Sequence, residues 1–494
     1  MRTRVFAHYF GSTDAADAFN AAFRIPNFLQ NLFGEGVLSA SFIPVYANML
    51  ARGDEREAGR LAGAVVALLT LVASVLVLLG VLTTPWLIDA IAPGFEGEKR
   101  ELTIRLVEIL FPGAGIFVLS AWCLGVLNSH RRFFLSYISP VLWNMAMIAT
   151  LVAFGSLGQT RLAIALAWGS VAGAGLQFVV QLPVVLRLAR GLRFAIDLRS
   201  PHLLVVVGNF VPVFISRGVV QISGYVDALL ASLLPTGAVS DLTYAQTLYL
   251  LPVSLFGMAI SAAELPAMAS ALGSEDEIAS QLRGRLDAGL RQIAFFIVPS
   301  AVGFLAFGDV IAGALFQSGQ FTTDSARHVW ATLAGSAVGL LATTLGRLYS
   351  STYYALRDTR TPLRYAILRV VLTTVLGYLC AIPLPVALGI DPRWGVAGLT
   401  ASAGVAGWVE FTLLRRTLNR RIGRTGLPAS YVARLWASAL AGAAVGWGAR
   451  MGAPAVHPAL LAVIVLAPFG LVYLGGASLL GVPEVRGALR RFRR

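Results

Sequence analysis

The sequence predicts an all-α polytopic membrane protein: two pseudo-repeated six-helix lobes around a central cavity, then two further helices, with the first helix truncated. Three observations carry this. Of the 494 residues, 57% are hydrophobic and 13% charged, with mean hydropathy +0.74, whereas a soluble domain carries roughly 25% charged residues. Apolar runs of the ~20 residues needed to cross a bilayer recur along the whole chain. The arginines collect in alternate connections between those runs, the mark of loops held on the cytoplasmic side.

Taken in order, Arg2–Phe10 reads as the last half of a helix, too short at ~1.5 Å per residue to cross the bilayer. The stretch from Ala16 to Tyr46 follows. Its polar residues Asp17, Asn20, Arg24, Asn27, Asn31, Glu35 and Ser39 are spaced by three and four, so they share one helical stripe. Phe19, Phe23, Ile25, Leu29 and Phe33 cover the remaining surface. Ionisable groups at membrane depth cost roughly 2.5–3.5 kcal/mol each, so such a stripe borders a wet cavity or pairs with neighbouring helices as interhelical glue. Pro26 and the Gly34/Gly36 pair are bend points.

Spans are then expected near Leu61–Leu82, Leu102–Asn128, Ser136–Phe154, Leu162–Leu188, Leu204–Leu234, Asp241–Ala271, Ile293–Leu315, Ala331–Leu356, Pro362–Pro383, Gly395–Leu418, Tyr431–Ala449 and Pro458–Leu480. With the striped helix they make thirteen. The segment GVLNSHRRFFLSYISPVLWNM from Gly125 echoes TYYALRDTRTPLRYAILRVV from Thr352, and Pro26/Pro44 are echoed by Pro252/Pro266, all at offsets of about 220–230 residues. A six-helix unit therefore occurs twice in parallel orientation, as in many transporters that work by alternating access. The expected division is residues 1–198 for the N-terminal lobe, 199–425 for the C-terminal lobe, and 426–494 for two additional helices and a basic tail.

Arginines cluster at 52/56/60, 131/132, 187/190/193/199, 283/285/291, 357/360/364, 415/416/420/421/424 and in the tail RGALRRFRR, against sparse basic residues in the opposite loops. This places the C-terminus in the cytoplasm. The net charge of +14 is therefore a topology signal, and no nucleic-acid partner is expected. Lys99 is the single lysine, so a Gly-Lys-Ser/Thr phosphate loop is absent. The five histidines and two cysteines make no metal-ligand spacing, and no cleavable signal peptide opens the chain.

In the second repeat the counterpart of the striped helix carries Ser240, Thr243, Thr247, Ser254 and Ser261 on one face, with no charge among them. The first repeat supplies Asp17, Arg24 and Glu35, with Arg2 and Arg4 before them. A guanidinium is a planar fork suited to phosphate, so Arg2 and Arg24 are candidates for an anionic headgroup; the competing reading pairs Arg24 with Asp17 or Glu35. Asp227, mid-helix in ISGYVDALLAS, would hold a coupling cation or proton, or pair with Arg217. Arg369 and Glu410 read as a structural pair.

Five ordered motifs, ADAFNAAFRIPNFLQNLFGEGVLSASFIPVYA, PGFEGEKRELTIRLVEILFPG, GVLNSHRRFFLSYISPVLWN, LFQSGQF and YALRDTRTP, together resemble the MurJ/MviN lipid II flippase family. The resemblance runs from Arg2 to about Gly423. It implies fourteen helices, the last two forming a groove for a lipid tail, within the multidrug/oligosaccharidyl-lipid/polysaccharide exporter superfamily. It implies a substrate, the undecaprenyl-pyrophosphate-linked peptidoglycan precursor, moved from the inner to the outer leaflet of the bacterial inner membrane. Arg2, Asp17, Arg24, Asn27, Glu35 and Ser240 match the family's cavity or gate positions, and Thr247 stands at another. The departures are the missing start of the first helix, Gln30 where members often carry arginine, and Thr247 where many carry a cavity arginine.

The expectation is thus a lipid II flippase and not an enzyme. The alternatives are a flippase for another lipid-linked oligosaccharide, a multidrug exporter, which would favour acidic cavity residues, and a non-transporting relative. No cofactor is expected; a coupling ion or the membrane potential would drive the cycle. The expected partners are the lipid-linked precursor and membrane lipids, with the protein a monomer that associates with cell-wall synthesis machinery.

Overall fold

The computed structural model describes residues 1–33, 35–195, 200–453, 456–485 and 487; the side chains of residues 35, 212–213 and 215–223 lie outside the description. The described residues are helical apart from turns, loops and one isolated bridge, Ser318 to Phe321. Close packing divides it into two compact units, Met1–Ser240 and Asp241–Arg494.

The first unit holds α1 (Arg2–Phe10), α2 (Asp14–Phe33), α3 (Glu35–Ala51), α4 (Glu55–Leu82), α5 (Thr84–Ile91), α6 (Gly97–Ser129), α7 (Phe133–Phe154), α8 (Gln159–Leu188) and α9 (Pro201–Ser232). α6 is its axis and packs on α2, α4 and α8, while α7 lies between α1 and α8. α9, grouped by sequence repetition with the second lobe, packs along α3. Between membrane helices the driving forces are close packing and interhelical hydrogen bonds, because lipid is as apolar as leucine. Here Trp122 donates from its indole to the Ala62 carbonyl at 3.1 Å. Ser120 bridges Gln177 and Gln181 at 2.9 Å each, and Gln181 also donates to Ser139. This buried polar knot ties α6, α7 and α8. The opposite surfaces carry bare aliphatics such as Leu78 and Leu82, about 60% exposed, as lipid-facing positions should.

The second unit holds α10 (Ala238–Pro252, its first turn belonging to the first unit), α11 (Ala259–Ala269), α12 (Glu275–Phe316), α13 (Thr323–Ala355), α14 (Arg360–Ala381), α15 (Pro383–Ala387), α16 (Gly395–Ile422), α17 (Ala429–Gly452) and α18 (Pro458–Leu479). The expected span over Asp241–Ala271 is one helical run, Ala238–Ala269, in which a π-helical turn, Val253–Met258, joins α10 to α11 just after Pro252. Proline at that point supplies no amide for the regular ladder, and such bulges recur at functional sites. α12 opens with a reciprocal capping box between Ser274 and Glu277. α13 packs against α12 and α16, α14 covers α16, and the terminal pair α17–α18 rests on α12. Arg450 holds Asp309 through two hydrogen bonds, 2.6 and 3.1 Å, fixing the end of α17 to α12.

Among the described residues, ten helical segments are long and apolar enough to cross a membrane. The three remaining expected spans are helical too: α2 with α3, α9, and α17.

Candidate functional site

The polar stripe of α2 divides into two parts with different surroundings. Its first two turns are engaged by protein. Asp17 is 1% exposed. Its Oδ2 accepts from the Lys99 ammonium and the Gly237 amide, both at 2.8 Å. Its Oδ1 accepts from the Ser240 amide at 2.8 Å and the Ser240 hydroxyl at 2.7 Å. Asn20, one turn on, donates to the same hydroxyl at 3.2 Å. Lys99 also meets Asp14 at 2.9 Å, and its ammonium sits 4.4 Å from the Phe95 ring centre. Thr236 donates to Asp14 at 2.8 Å.

The local sequence explains this clasp. Gly237 has φ +96, a left-handed turn that glycine adopts without strain, and the turn aims the Gly237 and Ser240 amides at one point. The start of α10 is thus an electropositive helix end with unsatisfied amides, and a carboxylate from α2 fills it. Of the two pairings open to Arg24, the one with Asp17 is not formed, since the cationic partner of Asp17 is Lys99, from the head of α6; the one with Glu35 lies outside the described residues.

Deeper in α2 the stripe changes character. Arg24, ten residues beyond Asp14 and hence roughly 15 Å down the helix, donates one hydrogen bond to the Gly224 carbonyl at 3.3 Å. Tyr225 donates to the Arg24 backbone carbonyl at 2.6 Å, pinning α9 beside it. Asp227, half-buried, lies within electrostatic range of the guanidinium. Among the described residues Arg24 makes no other side-chain hydrogen bond and no salt bridge, so they leave most of its five donors unused. Asn27 is half-buried one turn further. The Glu35 side chain, and that of Arg217, lie outside the described residues.

Arg2 is held differently. Its guanidinium stands 4.8 Å from the Trp143 ring centre and 5.6 Å from that of Phe23, two rings stacked 5.8 Å apart. Cation–π contact of this kind is worth ~0.5–2 kcal/mol and orients the charge without neutralising it. Ser240 is fully buried in the clasp. Thr247, in the second unit, donates back to the Thr243 carbonyl at 2.9 Å. The Arg369–Glu410 pair forms at 3.3 Å, as its spacing on α14 and α16 predicts.

Sequence reasoning placed Asp17, Asn20 and Ser240 on polar faces but did not connect them, and it passed over Lys99, Gly237 and Trp143 as site residues. Lys99 offered one signal, as the single lysine of an arginine-rich chain.

The chain matches the family described as "Lipid II flippase MurJ" over residues 6–471. It belongs to the MurJ family. It is 31% identical over 426 residues to the "Lipid II flippase MurJ" of Burkholderia cenocepacia, covering 85% of this chain and 80% of that one. It is 33% identical over 428 residues to the "Probable lipid II flippase MurJ" of Rhizobium meliloti, covering 85% and 77%. Among solved structures, a lipid II flippase MurJ in an inward closed conformation superposes with a TM-score of 0.78 at 22% identity, covering 97% of this chain and 95% of that one. An inward-facing MATE multidrug transporter of the MOP superfamily gives 0.68 at 18% identity, covering 85% and 95%. These two likenesses bear on the fold. MurJ membership makes the chain a multi-pass transporter of the bacterial inner membrane and not an enzyme.

Proposed function

We propose that this MurJ-family protein carries lipid II, the undecaprenyl-pyrophosphate-linked peptidoglycan precursor, from the inner to the outer leaflet by alternating access. The observation that carries this is the division of α2's polar stripe: Asp17 and Asn20 are consumed by the clasp, whereas Arg24, two turns further down α2, makes one side-chain hydrogen bond among the described residues. With the arginine-rich loops and the C-terminus in the cytoplasm, the clasp of Asp17, Lys99, Gly237 and Ser240 sits at the outer ends of α2, α6 and α10. All four residues belong to the first unit, so the clasp fixes the first turn of α10 to α2 and α6 on the outward side.

Arg24 is the pyrophosphate-facing charge, with Arg2 a second cation oriented by Phe23 and Trp143, and Asn27 and Thr247 neutral lining. Asp227, near Arg24, is the group through which a coupling ion or the membrane potential acts, since a cation bound there changes how much positive charge Arg24 presents to the lipid. The protein works as a monomer in association with cell-wall synthesis machinery.

Arg24→Ala tests this reading. It is expected to abolish growth of a flippase-depleted strain while the membrane level of the protein is unchanged, because alanine removes one 3.3 Å side-chain hydrogen bond among the described residues. Arg24→Lys keeps the charge but not the fork and is expected to restore growth in part. Normal growth with alanine removes Arg24 from the transport path.

A further inference from the structure

A cavity of about 430 Å³ opens between the start of α7 and the end of α8, lined by Arg132, Phe134, Leu135, Val184, Arg187 and Leu188. It contains only two polar side chains, and both are guanidinium groups. Neither makes a hydrogen bond or ion pair among the described residues; the neighbouring Arg190 takes the nearby carboxylate, Glu55, at 3.6 Å. Arg132 is set by the tight connection between α6 and α7. There Arg131 takes a left-handed conformation, φ +57, and α7 begins at Phe133. On the membrane side Phe134 and Tyr137 are 79% and 75% exposed, as expected of aromatic anchors at the level of lipid headgroups.

We infer that this cavity is a binding site for an anionic glycerophospholipid of the inner leaflet. The phosphate sits between Arg132 and Arg187, and an acyl chain lies along Phe134, Val184 and Leu188. Arg132 and Arg187 are both exposed, so water screens their mutual repulsion, and a phosphodiester engages both at once through the forked donors that suit it. Basic pockets between helices at the cytoplasmic surface are the sites at which anionic lipid headgroups are recognised. A lipid-linked glycan is a poorer occupant: the lining side chains include no hydrogen-bond acceptor and no neutral polar group to engage sugar or peptide. The cytoplasmic placement rests on the orientation proposed above.

The test is lipid retention by the purified full chain, read by native mass spectrometry. The probes are phosphatidylglycerol, phosphatidylcholine and undecaprenyl pyrophosphate, each titrated separately. The wild type is expected to retain phosphatidylglycerol in preference to phosphatidylcholine. Arg132→Ala with Arg187→Ala is expected to weaken that retention roughly thirtyfold. Val184→Trp, which fills the cavity and leaves both charges, is expected to weaken it as well. Equal retention of the two phospholipids by the wild type, or wild-type retention by the double variant, overturns the site. Loss of undecaprenyl pyrophosphate but not of phosphatidylglycerol in the double variant overturns the assigned occupant. Because the readout is binding and not transport, it fails or succeeds independently of the flippase reading.

Discussion

Asp17→Ala is expected to lower the unfolding free energy of the protein by about 3–5 kcal/mol, the cost of removing one partner from a buried ion pair, and to abolish transport. The carboxylate is 1% exposed and accepts four hydrogen bonds, from Lys99, the Gly237 amide and both donors of Ser240. Alanine leaves the two amides and the hydroxyl facing an apolar methyl. Each orphaned buried donor costs ~1–3 kcal/mol, partly recovered if water enters. Lys99 keeps Asp14 at 2.9 Å, which holds the total near the lower end. Asp17→Asn keeps the shape but brings an NH2 group towards donors, so about half the loss is expected. Lys99→Met combined with Asp17→Asn should cost less than the two changes summed, by ~0.5–3 kcal/mol, because the residues share one interaction. Thermal unfolding in detergent and complementation measure the two effects separately. Wild-type stability in Asp17→Ala would show that the clasp holds nothing together.

The fold was readable because in a bilayer the backbone must satisfy itself within each span, so an apolar run of sufficient length has one outcome. α4, α7 and α18 accordingly fall within a few residues of the spans expected from hydropathy alone. The π turn between α10 and α11 was not readable: Pro252 marks a bend, but whether the ladder answers with a kink or a π turn is decided by what packs there, here α12 and α13. The packing of α9 on α3 was hidden for a related reason. Sequence repetition records descent of a helix, whereas its neighbours record where its apolar surface is buried.

The site was readable in composition and not in partnership. Helical spacing puts Asp17, Asn20 and Arg24 on one face whatever surrounds them. It says nothing about Lys99, 82 positions away, or about a glycine turn that points two amides at the carboxylate. Seen only in sequence, Asp17 and Arg24 compete for each other; in three dimensions Lys99 and the head of α10 take Asp17. That leaves Arg24 with a carbonyl and a more distant carboxylate. The aromatic hold on Arg2 was invisible in the same way, since Trp143 looks like one more lipid-facing residue of α7 until its ring is found against Phe23.

Gly339→Leu is expected to prevent assembly of the second unit, and Gly339→Ala to destabilise it by ~1–3 kcal/mol or more, the range for overpacking a close-packed site. α13 carries Gly335 and Gly339 one turn apart, the small-xxx-small spacing that lets membrane helices approach backbone to backbone. A methyl at Gly339 would stand 2.3 Å from the Gly404 Cα of α16, and one at Gly335 would stand 2.4 Å from the Ala397 carbonyl oxygen. Backbone atoms inside two helices cannot turn aside as a side chain can, so the helices must separate. Separation also strains the 2.8 Å hydrogen bond from Thr400 to the Thr332 carbonyl across the same contact, and it removes α16 as the seat of α14, loosening Arg369 from Glu410. Gly346, two turns further along α13, makes the comparison decisive: a methyl there meets nothing within 4 Å. Gly346→Ala is therefore expected to be neutral or to stabilise by up to ~1 kcal/mol through helix propensity alone. Thermal unfolding of the two alanine variants in the same detergent measures the contrast. Equal midpoints would mean that the approach of α13 to α16 is not set by its glycines.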